Sequence, residues 1–484
     1  WQAGQRVLPR LSAKRSFQLA RERFLSFGVS GGALQTRHLI CASQVSSERL
    51  ALGLFYSLRK SKKRARKIDR NSLTSTTLAL QQEEVFLGSR SLPGWSLALS
   101  LLASLASGVG VVSVSAHQYA YGFNFAWHIA AIALTTPCTV YFFLPVLYRL
   151  KVTSVFQYLR MRFGNGVGIT ACVIYFFFSQ TLGAVSIYSA AVGMSTMLGV
   201  PLVACNVLIG ALGTTYTALL GRNVKPQALP VCPLCAFQGG LRGVVWADCV
   251  QGFVLFAAPF VIIAKIAYDS ARLDVPLRPL RDISSEHYLR LEFDMTSDET
   301  MWANAVASVP FHLVREGMDQ MVVQRFLAAR SFRTARRVVW AGTAMVCFFC
   351  VAITLTGLAL TYWYRDCDPM LTGAITRYDQ MVPLYVAESL SSVAGLRGLF
   401  LAGLVGASIS TISSVINSHA ATFYVDIVSP NFKMREKKAT MVMHFLGEDY
   451  TMKTLYSDHY IVLFRRIRDN IPDALRNPAT NFKK

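Results

Sequence analysis

Long apolar runs recur along this chain, each close to the roughly 20 residues that cross a bilayer as a helix. Only 16% of the residues are charged, against about 25% in ordinary soluble proteins. Helices pair their backbone polar groups within one segment, as a bilayer interior requires. We therefore predict an all-α polytopic membrane protein with about eight spans, at 95–117, 125–148, 167–193, 199–220, 243–268, 302–320, 338–363 and 394–425.

The basic residues predict how the chain lies in the membrane. The formal net charge is +22, and residues 1–70 carry 16 Lys and Arg against 3 Asp and Glu. Further basic groups lie in 149–166, in 321–337 and after 430, a pattern typical of cytoplasmic loops rather than of nucleic-acid binding. Arg315, Glu316 and Asp319 at the end of the sixth span could form an interfacial cluster, to which the sequence assigns no function.

The last span carries a stripe of small and hydroxyl-bearing residues. The residues that share one helical face, at i, i+3, i+4, i+7 and i+11, are Ala407, Ser410, Thr411, Ser414 and Ser418. Hydroxyls in a membrane need a partner helix, a water-filled cavity or a desolvated cation. The stripe therefore favours a cation site, and the alternative is close packing of small residues between helices.

The first span contains two glycines among serines and alanines. Gly108 and Gly110 lie near its centre, and each glycine weakens a helix by about 1 kcal/mol relative to alanine. A helix that unwinds there exposes carbonyl oxygens for a hard cation such as sodium, and a half-helix end that can hold an anion. The alternative is an intact helix with a small-residue packing face.

A carboxylate lies several residues inside the fifth span. Asp248 at such a depth costs about 3 kcal/mol even on the lenient insertion scale, so it needs a polar cavity, a cation path or a basic partner. Gln251 lies three residues further along the same helical face. The alternative is an Asp near the interface that pairs with Arg242 or another Arg of the cytoplasmic side.

Six stretches are distinctive as a set: Phe86–Ser91, Ser100–Gly122, Gly239–Asp248, Val323–Leu327, Asp366–Pro369 and Ser408–Asn417. Together they resemble the sodium/solute symporter family, in the branch that takes up monocarboxylates, iodide and the vitamins biotin and pantothenate. The resemblance covers about residues 80–445. It implies a five-plus-five inverted-repeat core, with the first and sixth core helices broken at the binding site.

The resemblance also implies which residues form the site. Sodium would be bound by the carbonyl oxygens of Ala103, Ala106 and Ala407 and by the hydroxyls of Ser410 and Thr411. No other metal site is implied, because Cys232 and Cys235 have no second ligand pair nearby.

Four further positions follow from the same resemblance. Asp248 would be a nearby supporting carboxylate and Gln251 a supporting amide. Val109 and Gly110 would face the substrate in the broken first helix. Sugar-carrying relatives have a polar pair at these two positions, so the apolar pair found here argues against sugars.

The chain departs from the family pattern at three places. The match stops near core helix eight, so we expect a core truncated after that helix. The family's extra N-terminal helix is represented only by a remnant at Leu50–Leu58, within an atypical basic region 1–90. A segment at 221–238 interrupts the transmembrane core that extends over 91–430, and 431–484 reads as a cytosolic tail. We interpret these departures as errors of gene prediction or splicing.

Taken together, these features predict sodium-coupled symport of a small organic anion or vitamin-like solute across the plasma membrane. The solute classes are monocarboxylates, biotin or pantothenate, and iodide. We expect no enzyme activity and no cofactor, with sodium as the coupling ion and the lipid bilayer, sodium and solute as partners. The alternative is a truncated, non-transporting membrane protein of the same family. A membrane enzyme is disfavoured, because the histidines lie on different spans without motif spacing.

Overall fold

The computed structural model describes residues 83, 86–221, 241–273, 277, 290, 293–294, 296–392 and 395–431, and the structural statements below concern these. Leu50–Leu58 lies outside them, as does most of the predicted regions 1–90, 221–238 and 431–484. The domain boundaries drawn from the sequence therefore stay predictions.

The described chain is built from helices joined by short turns. In chain order they are α1 Gly94–Leu105, α2 Gly110–Tyr121, α3 Asn124–Arg149, α4 Val155–Phe163, α5 Asn165–Leu198, α6 Leu202–Gly221, α7 Leu241–Ser270, α8 Val309–Gly317, α9 Gln320–Leu327, α10 Phe332–Tyr364, α11 Met381–Ser389 and α12 Leu396–Val428. Ser154, Asp319 and Ser331 begin α4, α9 and α10, and each side chain accepts a hydrogen bond from a backbone N–H of the first turn.

Most of the predicted spans are present as helices. Within the described residues, α3, α5, α7, α10 and α12 are long and apolar enough to cross a membrane, and α1 with α2 adds a sixth as a bent pair. The predicted span 199–220 corresponds to α6, whose apolar part Leu202–Gly213 is shorter. Large apolar side chains remain exposed on the outer surfaces of these helices, for example Phe142 and Phe253, as expected of surfaces that face lipid.

The predicted span 302–320 is wrong as a single helix. A π-helical turn at Ala303–Ala307 precedes the nine-residue α8, and the eight-residue α9 follows after a break. Pro310 fits the first turn of α8, where its missing N–H leaves no partner unsatisfied. Asp319 starts α9 anew, because its carboxylate accepts from the backbone N–H of Met321 at 2.8 Å. The chain therefore turns between α8 and α9, and the break at the binding site that the resemblance implies for the sixth core helix stays a prediction.

The first core helix is broken, but not at the glycines. α1 ends at Leu105, Ala106 adopts an extended conformation (φ −93°, ψ 135°), and α2 runs at 52° to α1. Gly108 serves packing instead, since a Cβ there would lie 2.5 Å from Cδ1 of Leu404. The break predicted at Gly108 and Gly110 thus lies about two residues earlier, at Ala106 and Ser107.

α12 is the most enclosed of the long helices. Of its most apolar stretch, 78% is buried inside the protein, whereas the corresponding share is 28–44% in the other four. It packs against α5, α6, α7 and α9 and touches α1. The hydroxyl stripe therefore lies in the interior of the bundle, next to the broken first helix.

Candidate functional site

The first core helix touches α12 beside its break. Ala103, Ala106, Ala407, Ser410 and Thr411 are all buried, on helices that touch one another. A Cβ added at Gly252 of α7 would lie 3.3 Å from that of Ala103, so α7 closes the same space from a third side. The helices that carry the predicted sodium ligands thus meet in the buried region between α1, α7 and α12, and the ligand set itself stays a prediction.

Local backbone geometry explains why this region can offer carbonyl oxygens. The last carbonyls of a helix have no partner within it. Here the backbone N–H of Ala106 donates to the carbonyl of Leu102 at 2.7 Å. The extended conformation of Ala106 interrupts the helical ladder that would otherwise occupy the carbonyl of Ala103. Oxygens of this kind suit a hard monovalent cation.

The two predicted hydroxyl ligands differ in their hydrogen bonds. Thr411 donates to the carbonyl of Ala407 on its own helix at 3.1 Å, so two predicted ligands are already neighbours. Ser410 donates to Oδ1 of Asp248. A hydroxyl that donates its hydrogen keeps its oxygen lone pairs, and both oxygens can therefore still bind a cation.

Asp248 is fully buried and is the centre of a polar cluster. Its carboxylate accepts from Ser410, from Ser100 Oγ at 2.5 Å and from Arg325 Nη2 at 2.7 Å. Arg325 lies in the segment 321–337, which the sequence analysis assigned to a cytoplasmic loop, yet it belongs to α9 and is 1% exposed. The loop assignment was therefore wrong for Arg325. Asp248 has an Arg partner, as the alternative proposed, but the partner is Arg325 and not Arg242.

Arg325 joins four helices through one guanidinium. Its Nε donates to the backbone oxygen of Ser100 at 3.1 Å and to the hydroxyl at 2.8 Å. Its Nη2 also donates to Ser414 Oγ at 2.7 Å, and its Nη1 donates to the carbonyl of Met321. A buried ion pair is tolerated only when its remaining donors and acceptors are satisfied in this way. Ser100 and Arg325 thus belong to the polar cluster around Asp248, and the sequence reasoning missed both.

A signal for both missed residues was present in the sequence. Ser100 precedes Ala103 by three positions, on one face of α1. Arg325 lies inside Val323–Leu327, one of the stretches that carried the family resemblance. Neither position could be paired with Asp248 from one sequence, because their separations of 148 and 77 residues depend on how the helices pack.

The remaining predicted positions are less closely joined to the cluster. Gln251 has a buried Oε1 without a hydrogen-bond partner in the described part of the chain. Gly110 faces α10, since a Cβ there would lie 2.9 Å from Cδ1 of Ile353. A narrow apolar gap of about 10 Å³ is lined by Val111, Val254, Leu255, Ala258, Phe400, Gly403 and Leu404. Val109 and Gly110 are not among these lining residues, whereas their neighbour Val111 is.

A second buried charge pair lies beside the break. Arg315 of α8 pairs with Asp319, and its Nη2 donates to the carbonyl of Ser104 at 3.3 Å. The hydroxyl of Tyr175 lies 3.0 Å from both Asp319 Oδ1 and Ser418 Oγ. These contacts tie the end of α1 to α5, α8 and α12. The sequence suggested an interfacial cluster of Arg315, Glu316 and Asp319, whereas in the structure these side chains are buried.

Comparison with known proteins gives this arrangement a family. Residues 85–222 and 229–447 match the model described as "Sodium:solute symporter family", and this match covers well over half of the chain. The chain belongs to the sodium:solute symporter family. The sequence-based resemblance is thereby confirmed, and the gap between the two matched ranges falls inside the interruption predicted at 221–238.

Individual members of the family are moderately similar to the chain. A Drosophila melanogaster protein, named as a candidate sodium-dependent multivitamin transporter, is 30% identical over 72% of this chain and 54% of its own length. The human sodium/iodide cotransporter is 29% identical over 72% and 52%. The Bos taurus sodium-coupled monocarboxylate transporter 2 is 26% identical over 81% and 58%. The chain spans about half the length of the curated relatives it matches.

A solved structure supports the fold. A Na⁺-coupled sialic acid symporter, in a substrate-bound outward-open state, aligns with a TM-score of 0.68 over 88% of this chain and 82% of that one. The sequence identity is 22%. The all-α inverted-repeat transporter fold predicted from the sequence is confirmed by this likeness.

Proposed function

We propose that this chain is a sodium-coupled symporter of a small organic anion or vitamin-like solute. The observation that carries the proposal is the break at Ala106 in the first core helix, which touches α12 with its buried hydroxyls. Breaks of this kind expose backbone oxygens inside a membrane bundle, where only a ligand or another helix can satisfy them. The names of the relatives, which concern multivitamins, iodide and monocarboxylates, support the solute classes.

In the proposed cycle, sodium binds the carbonyl oxygens of Ala103, Ala106 and Ala407 and the hydroxyl oxygens of Ser410 and Thr411. Binding would join the end of α1 to α12 and so favour one conformation over the others. The polar cluster around Asp248 would hold Ser410 in place, with Gln251 as a further support. No covalent chemistry and no cofactor beyond the coupling ion belong to this proposal.

The solute would bind at the start of α2, near Val109 and Gly110. The N-terminal end of a helix carries a partial positive charge, which favours an anionic group. The apolar side chains around Val111 would contact the rest of a monocarboxylate or vitamin once the helices move apart. We place the protein in the plasma membrane, with the basic region 1–90 and the tail 431–484 on the cytoplasmic side.

The experiment that tests this function is uptake into vesicles containing the purified chain. Labelled monocarboxylates, iodide, biotin and pantothenate are offered with a sodium gradient or with choline in its place. We expect sodium-dependent uptake of at least one solute, with a large loss in Ser410→Ala and in Thr411→Ala. Absence of any sodium-driven uptake would contradict the proposal and favour the alternative, a non-transporting membrane protein.

A matched control separates a sodium ligand from a merely structural threonine. Thr356 of α10 is fully buried and donates to the carbonyl of Ala352 at 2.9 Å, just as Thr411 donates to that of Ala407. Thr356→Ala should therefore retain sodium-dependent uptake. Unchanged sodium dependence in Ser410→Ala and Thr411→Ala, at normal membrane expression, would refute the site.

A further inference from the structure

Glu316 is a buried carboxyl group that the proposed sodium site does not use. It lies near the end of α8 and is 2% exposed. α8 packs against α3, from which Thr135 and Thr136 approach the carboxyl group. Glu316 Oε1 has no hydrogen-bond partner among the described residues. An ionised carboxylate in such a place would lack both a counter-charge and a full set of donors, which is costly.

Within the described part of the chain, no cation pairs with Glu316. Its neighbour Arg315 is turned toward Asp319 and the carbonyl of Ser104, and Arg325 on α9 is paired with Asp248. Other titratable groups on these elements include His312 on α8, His128, Cys138 and Tyr141 on α3, and Cys347 on α10. The basic residues at the ends of α3 and α10, which are Arg149, Arg333, Arg336 and Arg337, are exposed. His128 and His312 stack on each other at 5.8 Å, and neither forms an ion pair with Glu316 in the described chain.

The threonine hydroxyls indicate where the missing hydrogen lies. Thr136 Oγ1 is 2.8 Å from the carbonyl of Ile132 and 3.3 Å from Glu316 Oε2. A hydroxyl has a single hydrogen to donate, and the shorter contact to Ile132 takes it. Thr135 is arranged alike, with the carbonyl of Ala131 at 2.9 Å. The contact between Thr136 and Glu316 is then a hydrogen bond only if the carboxyl group supplies the hydrogen.

We propose that Glu316 is a proton-binding site and carries a proton on Oε2 in this conformation. The Oε2–H group of Glu316 donates a hydrogen bond to Thr136 Oγ1, and Oε1 remains as a carbonyl oxygen without a hydrogen bond. The carboxyl group is then neutral, so no charge is buried. The only reaction is transfer of a proton between water and the carboxylate, with no change of oxidation state. Because Arg315, the next residue, holds the end of α1, gain or loss of this proton would act on the broken helix. This coupling to transport rests on the proposed function.

Infrared spectroscopy of the full chain in lipid vesicles tests the proton directly and needs no transport. At neutral pH we expect a carboxylic-acid C=O band at the high-frequency end of its range, since Oε1 accepts no hydrogen bond. Glu316→Gln should lose this band, and Glu316→Asp should keep it at a shifted frequency. Glu299→Gln is the matched control, because Glu299 faces His117 at 3.0 Å and is partly exposed, and that variant should keep the band.

Absence of the band from the unmodified protein at neutral pH would overturn the proton site. So would its persistence in Glu316→Gln. A transport measurement then addresses the coupling: sodium-driven uptake should vary with external pH in the unmodified protein and lose that variation in Glu316→Gln. An unmodified protein that shows the band but no sodium-driven uptake would refute the proposed function and leave the proton site standing.

Discussion

Arg325 holds the buried carboxylate of Asp248 with one guanidinium that also reaches Ser100 and Ser414. Removing it would leave a buried charge unpaired, which costs about 3–5 kcal/mol. We expect Arg325→Gln to lower the free energy of unfolding by an amount of this order, measured by denaturation in detergent. Arg330→Gln, an exposed neighbour, should change it little.

Removing both charges together distinguishes a true pair from two separate contributions. The double variant Asp248→Asn with Arg325→Gln leaves no unpaired charge, so it should lose less stability than the sum of the two single variants. Additive losses would contradict the pair.

For single residues, the sequence indicated that Asp248 needs a partner for its charge but did not identify that partner. Arg242 was the nearest choice along the chain, yet its guanidinium donates to the carbonyl of Gly88 at 2.8 Å and to Ser91 Oγ at 2.6 Å. Arg325 was counted among loop residues because a basic residue between two spans normally lies in water. Its burial depends on the short helix α9, which turns back into the bundle. The same limit applies to Glu316, whose surroundings come from a different helix.

At the level of helix packing, Leu404 of α12 fills the space between the break in the first core helix and α5. A Cβ on Gly108, next to the break, would lie 2.5 Å from Cδ1 of this leucine, and one on Gly193 of α5 would lie 2.3 Å from Cδ2. A single alanine at Gly108 or at Gly193 can be accommodated if one methyl group of Leu404 moves. Alanines at both positions would press on both methyl groups at once, and the side chain then has nowhere to move. Overpacking of a well-filled site costs about 1–3 kcal/mol.

We therefore expect Gly108→Ala with Gly193→Ala to lose more thermal stability than the sum of the single variants. Leu404→Ala added to the pair should recover part of that loss. Gly166→Ala is the control, because a Cβ at Gly166 meets nothing within 4 Å. Additivity of the two substitutions would show that Leu404 is not confined between them. The readout is the apparent melting temperature in detergent.

Hydropathy predicted the long helices well and the short ones poorly. The predicted spans 243–268 and 338–363 correspond to α7 at Leu241–Ser270 and α10 at Phe332–Tyr364. α4, α8, α9 and α11 are eight or nine residues long, too short for a window that seeks 20 apolar residues. The break in the first helix was predicted, but at the wrong residues. It depends on the extended backbone of Ala106, which the positions of the glycines do not predict.

For the whole molecule, the proposed sodium site predicts a dependence of stability on salt identity. A ligand that binds only the folded state stabilises it by about 2.7 kcal/mol at a concentration one hundred times its dissociation constant. We expect a higher melting temperature in sodium chloride than in choline chloride at equal ionic strength. Thr411→Ala should abolish the difference and Thr356→Ala should preserve it. Equal melting temperatures of the unmodified protein in both salts would contradict sodium binding.

The overall architecture was the part most accessible from the sequence, because a bilayer permits few folds and the apolar runs report where the chain crosses it. The site was accessible only in part. Ser410, Thr411, Asp248 and the cluster of Arg315 and Asp319 could be named from the sequence. Ser100 and Arg325 could not, because their contacts depend on the packing of several helices. Segments 1–82 and 432–484 lie outside what the structure describes.

The pairing of Asp248 with Arg325 also has an electrical meaning. A single charge that crosses the full membrane potential does work of about 2.3 kcal/mol for each 100 mV. The two side chains meet at 2.7 Å and so present a dipole with no net charge. A rearrangement that moves them together does almost no work against the membrane voltage. The voltage sensitivity of any transport cycle would then arise from the ions carried and not from this buried pair.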